Sequence, residues 1–300
     1  MYPVSIFAQT KGELCSTNGY TVITINGMNT DEKKAILNRD TLKEKLPPTI
    51  KNEQITVEYI HNPSHLAGLG DIFAVAYQKY FDTEAVEDYD LIEILNDAST
   101  KVKTQKLLLV GHSQGNFYSN SFYDKVVDKD GGVPKESIGV YGVASPSSRV
   151  AGGGKYITSG TDTVISNLRW KGVLNILPSN EYIKLPEDSD SNGHSFSDVY
   201  MKYRSNKIIS DIKYSLNKLK TNNIQNSDQP CISPQEVTFQ HKITGAFLEI
   251  ADPTAIVLKK TGIDTYNQTL LSFKNGFNIL ANVISGAMSL ASGNKNNATV

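Results

Sequence analysis

The sequence predicts an α/β protein with a mainly parallel sheet and helices on both of its faces. Short segments rich in β-branched or apolar residues alternate with longer segments of helical periodicity between residues 20 and 219. This alternation is typical of consecutive β-α-β units. Residues 106–110, Lys-Leu-Leu-Leu-Val, form a short apolar run of the kind found in a strand buried on both faces. With 300 residues, the chain is long enough for one large core.

The first part of the chain contains two predicted strands and three predicted helices. Residues 20–25 are rich in β-branched side chains and predict a strand, which an Asn-Gly pair ends. A helix is expected over residues 31–45, because an Asn-Thr-Asp run can cap its start and a Pro-Pro pair follows its end. Residues 54–60 predict the second strand, and helices are expected around residues 72–81 and 88–96.

The elements after the strand at 106–110 complete the predicted core, which covers residues 1–220. A helix is expected over residues 114–127, and apolar strands are expected over residues 137–144 and 155–158. Residues 195–219 carry apolar side chains at roughly helical intervals and predict one long helix.

Residues 221–300 are expected to form a mainly helical extension packed on the core. The polar run 221–230 reads as a linker, and it precedes one possible strand at 236–243 and an apolar helix at 269–290. A membrane-surface helix over residues 277–291 is the alternative, although that segment lacks the basic face that such helices usually carry.

The charge balance limits the kinds of partner. Lys and Arg total 30, Asp and Glu total 31, and the formal net charge is −1. No dense basic stripe is present, so nucleic acid is not an expected partner. Substrate capture is therefore expected to depend on a local pocket.

The strongest motif is Gly111-His112-Ser113-Gln114-Gly115, which lies between a predicted strand and a predicted helix. A sharp strand-to-helix turn of this kind lifts a serine hydroxyl clear of the sheet, and the glycines allow neighbouring backbones to approach. We expect Ser113 to be a nucleophile.

A serine hydroxyl needs a general base to attack at neutral pH. The chain has five histidines. His112 is expected to point away from the reaction centre, His61 and His65 follow the second strand, and His241 lies beyond the core. His194 fits the expected chain order of serine, acid and histidine, and it is the predicted base.

The predicted acid is Asp162, in a Gly-Thr-Asp turn after the fifth predicted strand. Its carboxylate would hold the imidazole in the required tautomer and stabilise the charged form. Asp188 and Asp190 are the alternatives, in a charge-rich loop.

Two backbone N–H groups are predicted to form an oxyanion hole. Gln114, which follows the nucleophile, would supply one. Met28 would supply the other, from the Asn26-Gly27-Met28 loop, in which a glycine allows a close approach.

These motifs make the chain resemble the α/β-hydrolase superfamily, particularly its bacterial lipase-like members. The resemblance covers residues 21–219 and rests on the Asn-Gly-Met loop, the Gly-His-Ser-Gln-Gly turn, the Gly-Thr-Asp turn and the Gly193-His194 pair. It implies an α/β-hydrolase fold and hydrolysis of carboxylic esters through an acyl-enzyme, with no metal or organic cofactor. Asn26 departs from the family pattern, because many lipases carry histidine there.

The resemblance leaves the substrate open among small-molecule esters and lipid esters, so the enzyme could be a lipase, a phospholipase or an esterase. A secreted lipid-directed toxin and a non-catalytic hydrolase-like binding module are the alternative functions.

The two cysteines, Cys15 and Cys231, allow two interpretations. They are either unrelated small hydrophobic residues or a disulfide between the N-terminal segment and the chain after the core. A disulfide would require an oxidising compartment. The sequence leaves the choice between an exported and a cytoplasmic protein open, as it does the oligomeric state.

Overall fold

The computed structural model describes residues 15–27, 30–61, 84–127, 132–170, 175–185, 192–221 and 229–238. Within these residues, one mixed sheet contains six strands. The strands are β1 (Ser16–Ile25), β2 (Thr49–Ile50), β3 (Glu53–Ile60), β4 (Thr104–His112), β5 (Ile138–Val143) and β6 (Tyr156–Ile157). All neighbouring strands are parallel except β2 and β3, which pair antiparallel.

Helices follow most of the strands. They are α1 (Glu32–Lys45), α2 (Glu84–Lys101), α3 (Gly115–Val126), α4 (Thr163–Trp170) and α5 (Lys202–Lys218). A short 3-10 turn covers Ala151–Gly153, and a π-helical turn covers Phe196–Met201 directly before α5.

Two apolar clusters lie on opposite faces of the sheet. Every residue of β4 is buried, and its side chains alternate between the faces. Leu108 and Val110 belong to a cluster with residues of α1, α4 and α5, whereas Leu107 and Leu109 belong to a cluster with residues of α2 and α3. Each fully buried leucine contributes about 2 kcal/mol to folding. The predicted α/β class, with a mostly parallel sheet, is confirmed.

The strand order creates a crevice between β1 and β4. The order across the sheet is β2-β3-β1-β4-β5-β6, so the chain moves outward in opposite directions from the β1–β4 pair. In open parallel sheets, ligands bind outside the carboxyl ends of the strands at this kind of reversal. Gly27 follows β1 there, and Ser113 follows β4.

The structure differs from the predicted elements in two segments that follow Asp162. Helix α4 was not predicted; it is only eight residues long and buries Ile165 and Leu168. Residues 195–219 were predicted as one helix, but they begin with a π-helical turn, and Arg204 has a non-helical φ of −134°. Periodicity averaged over a long window does not register such a local break.

Cys15 and Cys231 form a disulfide, which is one of the two interpretations that the sequence allowed. The main-chain N–H of Cys15 donates to Gln229, and the N–H of Gln235 donates to Asn96 of α2. Residues 229–238 therefore pack against the core. Of the possible strand at 236–243, the structure describes residues 236–238, and these form no strand.

The predicted helices at 72–81 and 269–290 lie outside the described residues. None of the helices in the described part of the chain has the length and apolar character that crossing a bilayer requires.

Candidate active site

Ser113 lies at the turn between β4 and α3 in a left-handed backbone conformation. Its φ is +54°, which is unfavourable for a residue with a Cβ and costs about 1–3 kcal/mol. Hydrogen bonds hold the turn: the Ser113 N–H donates to Val143 O at 3.1 Å. The Asn116 side-chain amide donates to Ser113 O at 2.8 Å and to Val143 O at 2.9 Å. Asn116 thereby fastens the turn to β5, a role that no sequence pattern indicated.

The glycines of the motif allow close backbone packing at this turn. A Cβ on Gly115 would lie 2.1 Å from Ile25 O, and one on Gly111 would lie 2.8 Å from the Asn116 Cα. Both distances are shorter than any real contact, so α3 could not start where it does with larger residues. The spacing of the motif is therefore a packing requirement as well as a chemical signal.

Three side chains from distant parts of the chain form one hydrogen-bonded series. The His194 Nε2 lies 2.9 Å from the Ser113 Oγ. The His194 Nδ1 lies 2.8 Å from Asp162 Oδ2 and 3.0 Å from Asp162 Oδ1. The structure thus brings together the three residues predicted as nucleophile, base and acid.

Asp162 is fully buried, and its carboxylate is bonded on several sides. It lies immediately before α4, where Oδ1 accepts the Ile165 N–H at 3.1 Å. The Tyr200 hydroxyl donates to Oδ2 at 2.9 Å and accepts the Ser159 N–H at 3.0 Å. Burial and the adjacent Asp162 carboxylate raise the pKa of Tyr200 well above its usual value, so this hydroxyl remains a donor.

The loop after β1 approaches Ser113 closely. A Cβ on Gly27 would lie 2.6 Å from the Ser113 Cβ. The Asn26 side-chain amide donates to Gly27 O at 2.9 Å, so it supports this loop. Gln114 is fully buried directly before α3. Met28 lies outside the described residues, and the oxyanion roles of Gln114 and Met28 stay predictions.

His112 does not point away from the reaction centre, so that expectation is wrong. Its Nε2 lies 2.8 Å from the main-chain oxygen of His194, and the two imidazole rings are 5.1 Å apart. Burial and the neighbouring His194 lower the pKa of His112 to about 3. The sequence showed which residue precedes the nucleophile, but the rotamer of that residue depends on tertiary packing.

A cleft of about 360 Å³ opens onto Ser113, which is within the usual size range of small-molecule sites. Its walls combine apolar and charged groups, contributed by Gly27, Lys34, Val164, His194, Phe196 and Asp198.

Of the remaining candidates, His61 is the one that lies among the described residues. The His61 ring lies 3.0 Å from Thr30 O after β3. His65, His241, Asp188 and Asp190 lie outside the described residues. In the part of the chain that the structure describes, no group of three or more His, Cys, Asp or Glu residues is arranged to hold a metal ion.

Comparisons with protein-family models, curated proteins and solved structures found no match to this chain.

Proposed function

We propose that the protein is a serine hydrolase of the α/β-hydrolase type that cleaves carboxylic esters through an acyl-enzyme. The observation that carries this proposal is the series of hydrogen bonds from Ser113 through His194 to Asp162. A hydroxyl, an imidazole and a buried carboxylate within hydrogen-bonding distance are the parts that nucleophilic catalysis by serine requires.

In the proposed first half-reaction, the Ser113 Oγ attacks the ester carbonyl carbon while His194 Nε2 takes the hydroxyl proton. Asp162 stabilises the resulting imidazolium and holds the ring in orientation. The tetrahedral intermediate then collapses and expels the alcohol, which receives the proton from His194. The acyl group remains on Ser113.

In the proposed second half-reaction, water attacks the acyl carbon and gives its proton to His194. Collapse of the second tetrahedral intermediate releases the carboxylic acid, and the proton returns to Ser113 Oγ. The main-chain N–H groups of Gln114 and Met28 are the proposed donors to the oxyanion in both halves. The N-terminus of α3 adds a favourable electrostatic field there.

The sheet supports the α/β-hydrolase type but is not specific to it. The order of the parallel strands, β3-β1-β4-β5-β6, also occurs in other doubly wound folds. The assignment therefore depends on the strained serine turn after β4, with a histidine and a carboxylate reaching it from later parts of the chain.

The disulfide supports an oxidising compartment as the place where the protein acts. The substrate is proposed to be a small-molecule or lipid ester, since the cleft walls are neither uniformly apolar nor uniformly charged. A non-catalytic binding module is a weaker candidate, because binding alone does not require the hydrogen-bonded series at Ser113.

A panel of p-nitrophenyl esters and phospholipids, assayed with wild type, Ser113→Ala and Ser166→Ala, tests this proposal. Ser166 is the matched control, because its hydroxyl contacts only the nearby Gly160 O, at 3.2 Å, in the described hydrogen bonds. We expect turnover of at least one ester by wild type and by Ser166→Ala, and none by Ser113→Ala. Equal turnover by all three proteins would contradict the proposal, as would the absence of any turnover across the panel.

A further inference from the structure

The His112 ring occupies an enclosed position beside the proposed base. His112 is the last residue of β4, and only 8% of its surface is exposed. Its ring lies 5.1 Å from the His194 ring and meets the Phe196 ring edge-on at 5.6 Å. These contacts fix the direction in which the imidazole nitrogens point.

The chemistry of this contact defines the tautomer of His112. The His112 Nε2 is 2.8 Å from the His194 main-chain oxygen, which can only accept a hydrogen bond. Nε2 therefore carries the proton. Because burial and the nearby His194 hold the pKa of His112 at about 3, the ring is neutral at physiological pH and its Nδ1 is unprotonated.

A neutral His112 does not repel the positive charge that His194 must take up. His194 becomes an imidazolium in the transition state of the proposed reaction. Among the described residues, Ser113 and Asp162 bond to His194, Tyr200 bonds to Asp162, and Lys34 and Asp198 line the same cleft. A second cation about 5 Å from His194 would oppose the developing charge.

Two consecutive residues of the strand end therefore contact two parts of His194. Ser113 meets the ring through Nε2, and His112 meets the main chain through the carbonyl oxygen. These two contacts fix the position of the base relative to the strand that carries the nucleophile. Displacements of about 1 Å between reacting groups are enough to cost about 100-fold in rate.

We propose that His112 is a positioning residue that holds His194 in register with Ser113 through the hydrogen bond to the His194 carbonyl. This inference rests on the proposed function of Ser113 and His194. In this proposal, the second residue of the Gly-x-Ser-x-Gly turn has a role beyond packing.

Two substitutions separate the hydrogen bond from the packing. His112→Gln keeps an amide N–H that can reach the carbonyl, and His112→Phe keeps an aromatic ring but has no donor. We expect His112→Phe to lower kcat about 10- to 100-fold with little change in KM, because the loss falls on the transition state. His112→Gln should recover most of the rate.

Proton and nitrogen NMR supply readouts that do not depend on turnover. In wild type, the proton between His194 Nδ1 and Asp162 should give a low-field signal, which should broaden or vanish in His112→Phe and return in His112→Gln. Wild-type His112 should be neutral and protonated at Nε2 at pH 7. This last measurement tests the donor that the proposal requires even if His112→Phe does not fold.

Three results would overturn the inference: an unchanged kcat and low-field signal in His112→Phe, an equal loss in both variants, or a His112 that carries no proton on Nε2. Failure of the proposed function is distinguishable, because wild type would then turn over no ester while the NMR comparison could still be made.

Discussion

Tyr200→Phe tests whether the buried hydroxyl beside Asp162 helps to hold the site together. This hydroxyl donates to Asp162 Oδ2 at 2.9 Å and accepts the Ser159 N–H at 3.0 Å. Tyr200, Asp162 and Ser159 are all fully buried, so solvent has no direct access to the groups that the substitution would leave unpaired. Phenylalanine keeps the ring and removes both hydrogen bonds.

The expected loss of stability follows from those two bonds. A hydrogen bond to a charged group contributes about 1.5–3 kcal/mol, and a buried N–H without a partner costs about 1–3 kcal/mol. Together they predict a decrease of about 3–5 kcal/mol in the free energy of unfolding. For a domain of this size, the melting temperature should fall by about 10 °C. Differential scanning calorimetry measures this change.

The effect on catalysis should be smaller than that of altering Asp162 itself. In Tyr200→Phe, the carboxylate keeps its contacts with His194 and with the Ile165 N–H. We expect kcat to fall about tenfold, because a positioning contact is lost while the acid remains. Tyr156→Phe is the control, since its exposed hydroxyl donates only to Pro178 O, at 3.0 Å, in the described hydrogen bonds. A melting temperature equal to that of Tyr156→Phe would refute the reasoning.

Three further predictions concern the acid, a partly buried ion pair and the disulfide. Asp162→Asn should keep the protein folded but lower kcat about 10⁴-fold, because the amide favours the wrong imidazole tautomer; a fall of less than tenfold in ester assays would show that another group is the acid. Burial alone would raise the pKa of Glu53, but its bonds from Lys106 and the Gly19 N–H lower it below the usual value. A carboxyl group with a lowered folded-state pKa adds stability above its unfolded pKa of about 4.3 and loses it as the pH falls through the folded-state value. Because Lys106 is buried while Glu53 is partly exposed, Glu53→Gln should lose about 1–3 kcal/mol at pH 7 and should lose less additional stability than wild type on acidification in urea titrations; the same acid dependence in the two proteins would contradict this. Replacing both Cys15 and Cys231 with alanine should lower the free energy of unfolding by about 2–5 kcal/mol, because the bond closes a loop between residues 216 apart, and reduction should have no effect on the variant; an unchanged denaturation midpoint would count against it.

The fold class could be predicted because the strands carry their own signals. The β-branched segment before Asn26 and the apolar segment before Gly111 both lie in strands, and each strand extends beyond its predicted bounds, to Ser16 and to Thr104. Polar residues at strand ends weaken the local pattern, so the sequence underestimates length. The antiparallel β2, with two residues, is too short to leave any pattern.

The identities of the three site residues and their order along the chain could be predicted. The residues that hold them in position could not. Ser113, Asp162 and His194 stand in an expected order along the chain, and the structure brings them into hydrogen-bonding distance. Tyr200 looks like one more apolar residue of a helical segment, but it lies in the unpredicted π-helical turn and its hydroxyl bonds to Asp162. His112 likewise depends on a rotamer fixed by packing.

The pairing of the cysteines depends on long-range folding in the same way. Cys15 and Cys231 are 216 residues apart, and nothing in their local sequences indicates that the segments meet. Their approach follows from residues 229–238 packing beside α2, where Gln235 bonds to Asn96. Whether the remainder of the C-terminal extension packs on the core stays a prediction.

Mapping the adduct of a fluorophosphonate probe by mass spectrometry tests the central claim most directly. Such a probe reacts with a serine whose hydroxyl is activated by a base, and an unactivated serine is inert. We predict one adduct per chain on the peptide that contains Ser113, with no adduct in Ser113→Ala and strongly slowed labelling in His194→Ala. Absence of labelling in the folded wild-type protein, or an adduct on another serine that persists in Ser113→Ala, would contradict the account.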